Sequence, residues 1–500
     1  MTKQQALEKE NKSLINALIA KEEKIHKSKA EIDRLNELVK YYQQMLFGKS
    51  SEKSKGKHTS NFNEAEESVG DDDNITVDGH TRKRGKRKPL PVELEREDVI
   101  VDLPEDQKFS KDGTPLVEIG EEVSEKLDII PSKIRVIRTV RKKYGLPNGE
   151  GSIKTAALPP SILPKSLATA GLLAYIIVSK YMDALPLYRL EKIFQRIGID
   201  LTRTTMSRWL IRVSLALQPI KNLMSEDLLS GSYIGMDETR TQVLNEKGKT
   251  AESNSYMWVR GRAGPSPIVL FDYNPSRSGD VAKDLLTDFK GVLQVDGYSG
   301  YNQVCKLIDV VRAGCWAHCR RYFKDAAKNS KKKKKADRAI KLIDKLYKIE
   351  DECEELTPDK KREYRQEHAV KTMDKLNSFL KENFGKVPPK SLIGKALLYM
   401  KNEWGNLQVY LTDGNIRIDN NFIENKIRPF ALGRKNWLFS TSVDGAEASA
   451  TLYSMIETAK ANNLNPYDYL RYVLEELPKR ETLEEIEELL PYNVKLPSKS

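Results

Sequence analysis

The chain has 500 residues, with 84 Lys and Arg against 72 Asp and Glu and a formal charge of +12; that length implies several domains, and the basic balance suits a polyanionic partner such as nucleic acid. Four cysteines (Cys305, Cys315, Cys319, Cys353) are too few and too clustered for a disulfide framework, which excludes a stapled secreted scaffold. No apolar run approaches the roughly 20 residues of a membrane span and MTKQQALEKENK carries no signal-peptide core, so a soluble cytoplasmic protein is expected.

Residues 1–46 read as a coiled coil. Leu18, Ile25, Ile32, Val39 and Leu46 occupy one heptad position and Leu7, Leu14, Leu35 and Tyr42 its partner, with Asn11, Lys21 and Ser28 interrupting the seam. Self-association is the expected use of so narrow a stripe, and a helix packed on its own protein is the alternative. Residues 47–92, with GDDD at Gly70 and RKRGKRK from Arg82, read as a flexible linker whose basic run either touches DNA phosphate or is simply solvated. Residues 93–150 contain VIVDL and the alternating KIRVIRTVRKKYGL, the pattern of a small β-rich module.

Residues 165–228 turn helical. Within them Leu187 to Ser214 form two amphipathic segments separated by Gly198-Ile199-Asp200, with Thr202 placed to cap the second. This is a helix-turn-helix pattern that presents Arg203, Thr204, Thr205 and Arg208 to a major groove, although similar helix pairs also occur in ordinary bundles. From residue 229 to 323 the texture becomes short strands: SYIGMDETRTQVL, SYMWVRGR, PIVLFDY, the helix-like GDVAKDLLTDF, then GVLQVD and DVVRAGCWAH. Three strands, a helix and further alternating elements is the order of an RNase H-like α/β fold.

Asp237 is expected to end the first strand and Asp296 the fourth, strands that neighbour one another in such a sheet. Facing carboxylates repel unless cations lie between them, and two Mg²⁺ ions on oxygen ligands serve phosphoryl transfer. Each Asp could equally cap a turn. A helical insertion over residues 324–413 precedes residues 414–462, where Glu424 sits among Asn420, Asn421, Lys426, Arg428, Arg434 and Lys435. Carboxylate, amides and cations within two helical turns make a poor core and a reasonable phosphate-handling surface. Residues 463–500 read as a helical tail, so the whole is a multidomain α+β protein.

IGMDETR, LQVDGYSGYNQV, GCWAHCRRYF and DNNFIENKIRPFALGRKNWLF together resemble the insertion-sequence 66 family of bacterial DDE transposases. LFGKSSEK, KRKPLP and NPYDYLRYVLEELP extend the resemblance over nearly the whole chain. It implies a DNA transposase whose catalytic, metal-binding acids match Asp237, Asp296 and Glu424, using Mg²⁺ or Mn²⁺ as two ions per site. It also implies element ends and target DNA as partners; a homo-oligomer is expected through the coiled coil, and whether accessory proteins encoded by the element are required is left open by the sequence. Cys315 and His318 match a Cys-x-x-His pair found after the second acid in several DDE families; a structural or DNA-positioning role is expected, the alternative being a metal site that needs further ligands, with Cys319 a candidate addition. The family's cysteine-paired zinc module has no counterpart in FSKDGTPL and YGLPNGEG, so no zinc is expected. A catalytically idle DNA-binding descendant is the rival reading; a purely structural coiled-coil protein leaves the Glu424 segment unexplained.

Overall fold

The computed structural model describes residues 134–141, 157–306, 309–328 and 334–497, together with two short antiparallel pairs, Thr76–Val77 with His80–Thr81 and Lys143–Tyr144 with Lys154–Thr155. The described residues up to Ala157 belong to one compact unit and Leu158 onward to a second, larger one. The heptads of residues 7–46, and most of the linker and β-module, lie outside the described residues.

The larger unit opens with four helices, α1 (Ala170–Tyr181), α2 (Leu187–Arg196), α3 (Arg203–Ala216) and α4 (Gln218–Ser230). Gly198, at φ +80°, makes the turn between α2 and α3, and the Thr202 hydroxyl accepts the Thr205 N–H at 3.3 Å to start α3. Leu190, Phe194, Met206, Leu210 and Val213 bury one face of the pair, while Arg203, Thr204 and Arg208 remain exposed.

A mixed sheet follows, built from β1 (Tyr233–Asn245), β2 (Asn254–Arg262), β3 (Ile268–Asn274), β4 (Gly291–Gln294) and β5 (Val310–Ala313), with α5 (Gly279–Leu285) between β3 and β4. Its order is β3-β2-β1-β4-β5, the first three antiparallel and the last two parallel to β1. Asp237 does not end β1. The strand runs on to Asn245 because Thr239, Thr241 and Val243 sustain the β-branched alternation, and it pairs with β2 as far as Gln242↔Asn254.

Helix α6 (Trp316–Lys328) leads into α7 (Lys334–Glu352), α8 (Pro358–His368), α9 (Val370–Asn383), α10 (Leu392–Asn402) and α11 (Trp404–Gln408), which gather around a second apolar core of Trp316, Phe323, Leu346, Phe379 and Leu397. The buried Arg312–Glu403 ion pair, at 3.0 Å, ties this helical body to β5, and the Trp316 indole N–H donating to Leu407 O at 2.8 Å joins α6 to α11. The chain then returns to the sheet as α12 (Asn421–Trp437), the short strand β6 (Ser440–Ser442) beside the far end of β1, α13 (Val443–Ala461), α14 (Pro466–Glu476) and α15 (Leu483–Glu487).

An exposed edge strand invites unwanted pairing. Here α13 covers the edge of β3: Ser454 Oγ accepts the Phe271 N–H at 2.8 Å, and Thr458 Oγ1 accepts the Val269 N–H at 3.1 Å and donates to Val269 O at 2.9 Å. Behind the sheet, burial would raise the Asp272 carboxyl, but Lys221 at 3.0 Å and Arg260 at 2.9 Å hold it well below the usual carboxylate range. This triad joins α4 to β2 and β3.

Candidate active site

Parallel pairing of β1 with β4 runs toward the two aspartates, and Asp237 feels the charge of Asp296. The register joins Gly235 to Gln294, an offset of 59 residues, which is also the interval from Asp237 to Asp296. Asp237 Oδ1 accepts the Glu238 N–H at 2.9 Å, and Asp296 Oδ1 accepts the Tyr298 N–H at 2.9 Å, so both carboxylates are oriented by local backbone. Burial, then the charges of Glu238, Asp296 and Glu424, push the Asp237 carboxyl up to about 8. Asp237 and Asp296 bring like charges together, while Glu238 is paired with Arg277 and Glu424 with Arg321. That is the electrostatic character of a divalent-metal site made of oxygen donors, so the residues present fit such an ion.

Helix α12 brings Glu424 to this place through a close approach to β1. Asn420, at its N-terminus, donates from Nδ2 to Met236 O at 2.8 Å. A Cβ at Gly235 would stand 2.6 Å from Asn420 Oδ1 and 2.8 Å from Ile423 Cγ1, and one at Gly261, the cross-strand partner of Gly235, would stand 3.2 Å from Ile423 Cδ1. The two glycines thus form the flat seat on which Ile423 rests, one residue before the acid. The segment leading into α12 is also held, by Gln294 Nε2 donating to Arg417 O at 2.6 Å and the Trp316 N–H donating to Ile418 O at 3.2 Å.

Glu424 itself faces α6. Its Oε2 accepts from Arg321 Nη2 at 2.8 Å, and its Oε1 lies 3.3 Å from His318 Nδ1 and 4.0 Å from Cys315 Sγ. Among the described residues, Cys315, His318 and Glu424 are the His, Cys, Asp or Glu group whose ligand atoms all lie within 4.8 Å of one another. The structure therefore brings Glu424 into the field of Asp237 while its oxygens rest on α6. Burial pushes the Cys315 thiol up to about 12, so it is neutral near pH 7.

Sequence reasoning missed Glu238. Successive strand residues face opposite sides, and Glu238 turns away from α12 toward the 3₁₀ segment Ser299–Lys306. There its buried carboxylate meets Arg277 at 2.6 Å and accepts a hydrogen bond from the Tyr301 hydroxyl, while Arg277 stacks 3.9 Å over the Tyr298 ring. The signal was the acidic pair Asp237-Glu238, but nothing local announces the distant Arg277. Arg321 was missed for the same reason.

The expected DNA contacts divide. Arg203, Arg208, Arg428 and Lys435 are exposed. Lys426 turns inward to within 3.5 Å of the buried Glu457, and Arg434 donates to Thr239 Oγ1 at 3.2 Å, which pins α12 to β1. Burial lowers the Arg434 value.

Residues 165–448 match the family model described as Transposase IS66 family, and residues 454–492 that of the IS66 C-terminal element. Residues 34–99 match "Transposase C of IS166 homeodomain", a match that runs across the boundary expected at residue 47. Residues 110–145 match the zinc-finger binding domain of transposase IS66, although this stretch contains neither Cys nor His. The chain is similar to three proteins of Sinorhizobium fredii, each named as uncharacterized. It is 35% identical to y4qI over 82% of this chain and 77% of that protein, 34% identical to y4jD over 81% of each, and 29% identical to y4hP over 84% and 79%. Among the described residues no helix is long and apolar enough to cross a membrane.

Proposed function

The chain belongs to the Transposase IS66 family, and from that premise we propose that it binds the terminal repeats of an insertion sequence, cleaves DNA to free 3′ hydroxyls and joins them to target DNA. The carrying observation is the close seating of the Glu424 helix on Gly235 and Met236, beside the half-buried Asp237, whose carboxyl is pushed up to about 8 by burial and by the charges of Glu238, Asp296 and Glu424. The β3-β2-β1-β4-β5 order, with an acid on β1 and another just after β4, supports an RNase H-like reading of the domain.

In this reading Asp237 and Asp296 hold Mg²⁺ or Mn²⁺, and Glu424 completes the set after release from Arg321. Bound divalent cations supply an activated attacking oxygen and a stabilised leaving oxygen. The protein's own residues do the positioning: Asn420 and the Gly235–Gly261 seat fix the Glu424 helix, and Arg434 anchors it to β1. Glu238, neutralised by Arg277, keeps Asp237 in place from the opposite face. Arg428 and Lys435 offer exposed cations to DNA phosphate. Self-association through residues 7–46 belongs to the same proposal.

A metal-binding test follows from the charge balance. Because the folded value of Asp237 is raised, the stabilising contribution of its neutral form is fully present below the unfolded value of 3.8 and is lost as pH rises through about 8. Without divalent ions, Asp237→Asn is therefore expected to melt several degrees above wild type at pH 8, a gap that closes toward pH 4. Added Mg²⁺ should raise the wild-type midpoint and leave the variant nearly unmoved. Equal shifts in both proteins would remove Asp237 from the metal site.

End recognition is assigned to α3. Arg203 and Arg208 lie exposed on a helix whose other face is buried, where a guanine contact contributes about 1–3 kcal/mol of discrimination. Arg203→Ala with Arg208→Ala is expected to lower the ratio of affinity for element ends to affinity for unrelated duplex, whereas Lys435→Ala should weaken both alike and flatten the salt dependence. An unchanged ratio in the double variant would move end recognition away from α3.

A further inference from the structure

We propose that Cys315, His318 and Glu424 form a binding site for a sulfur-seeking divalent cation of the Zn²⁺ class, adjoining the Mg²⁺ site assigned to the aspartates and distinct from it in its sulfur and nitrogen ligands. The spacing carries this. Two N or O ligands about 2.0 Å from a tetrahedral zinc stand about 3.3 Å apart, and a thiolate sulfur about 2.3 Å from it stands about 3.6 Å from an oxygen ligand. His318 Nδ1 and Glu424 Oε1 are 3.3 Å apart, and Cys315 Sγ and Glu424 Oε1 are 4.0 Å apart.

The surroundings match those of ligands already aimed. Cys315 Sγ accepts two backbone N–H groups, from Asn420 at 3.3 Å and from His318, which is the support a metal-bound thiolate needs. Arg321 holds Glu424 by Oε2 and leaves Oε1 toward the cysteine and histidine. His318 Nδ1 is buried without a hydrogen-bond partner, so a ligand nitrogen stands ready at the vertex it would fill. The His318 and Glu424 side chains keep 20% and 17% of their exposure, which leaves an open side for entry and for a water as fourth ligand. On binding, the metal–sulfur bond replaces the S–H bond and the proton leaves to solvent. Residues 110–145 contain no Cys or His, so sulfur-bound metal in this chain has its natural place here rather than in the module whose family match bears the zinc name. If Glu424 also serves the Mg²⁺ site, a point that rests on the function proposed above, the two cations compete for it.

Cobalt titration of the full chain tests the site without reference to DNA joining. One equivalent of Co²⁺ is expected to give a sulfur-to-cobalt charge-transfer band with the visible bands of a tetrahedral ion. Cys315→Ser should abolish the charge-transfer band, His318→Ala should weaken binding at least about tenfold, and Cys353→Ser should leave both unchanged. X-ray absorption of the zinc-loaded wild type, which needs no variant to fold, should show one sulfur with lighter N and O ligands. No bound metal, a shell without sulfur, or a band that survives Cys315→Ser in a folded protein overturns the assignment. Failure of DNA joining with these spectra intact would instead count against the transposase reading alone.

Discussion

Asp296→Asn is expected to lower strand cleavage and joining by a factor on the order of 10³ or more, with affinity for element ends nearly unchanged. The substitution preserves shape and removes a charge. Its Oδ1 contact with the Tyr298 N–H can survive in the amide, so the local turn should persist. What is lost is an anionic oxygen beside Asp237, where burial and repulsion already make a cation the favoured neighbour. Glu424→Gln should behave similarly, because its helix is held by Asn420, Ile423 and Arg434 rather than by the carboxylate. Gel-shift affinity measured beside joining rate separates the two effects. Retained joining in either variant would take that residue out of the reacting centre.

Gly235→Ala is the second change with a large expected effect, and it removes no charge. A methyl group there meets Asn420 Oδ1 at 2.6 Å and Ile423 Cγ1 at 2.8 Å, both too close for ordinary contact. Overpacking of this kind costs about 1–3 kcal/mol, and α12 must lift or slide along β1 to relieve it. A displacement near 1 Å at a reacting group typically costs about a hundredfold in rate. Joining should therefore fall about a hundredfold while the protein remains folded and binds DNA. Gly405→Ala, whose added Cβ meets nothing within 4 Å, is the matched control and should be silent. Similar rates in the two variants would mean that the seating of α12 does not limit the reaction.

The contrast between these residues explains how much could be read from the sequence. Features written in a few neighbouring residues were legible: the Gly198 turn and Thr202 cap of the α2–α3 pair, the strand alternation around Asp237 and Asp296, and the helical start around Glu424. The far end of β1 is not, because an Asp in a strand-like run has the look of a boundary while Thr239 and Thr241 carry the pairing with β2 onward and Val243 pairs with β6. Long-range contacts left no local mark. Arg277 lies 39 residues from the Glu238 it neutralises, Arg321 lies 103 residues from Glu424, and the hydroxyls of Ser454 and Thr458 cover the β3 edge from more than 180 residues away. Lys426 shows the converse. Its sequence neighbourhood suggested a phosphate contact, yet the buried charge of Glu457 draws it inward.

The pairing of Glu424 with Arg321 and His318 also bears on how the site works. Because the Glu424 side chain keeps only 17% of its exposure, its release from Arg321 uncovers a buried charge and needs an incoming cation to offset it. Release toward the aspartates would then complete the acidic set only when cation and DNA are in place.

The most direct measurement is strand joining by the purified full chain on labelled duplexes carrying the element's own ends, with Mg²⁺ or Mn²⁺ and a target DNA. The account predicts new 3′ hydroxyl ends and joined products that require the divalent ion and disappear in Asp237→Asn, Asp296→Asn and Glu424→Gln while end binding persists. Tight, specific binding of those ends by the wild type with neither cleavage nor joining under either ion would contradict it, and would identify the chain as a DNA-binding protein that has kept the three acids without their chemistry.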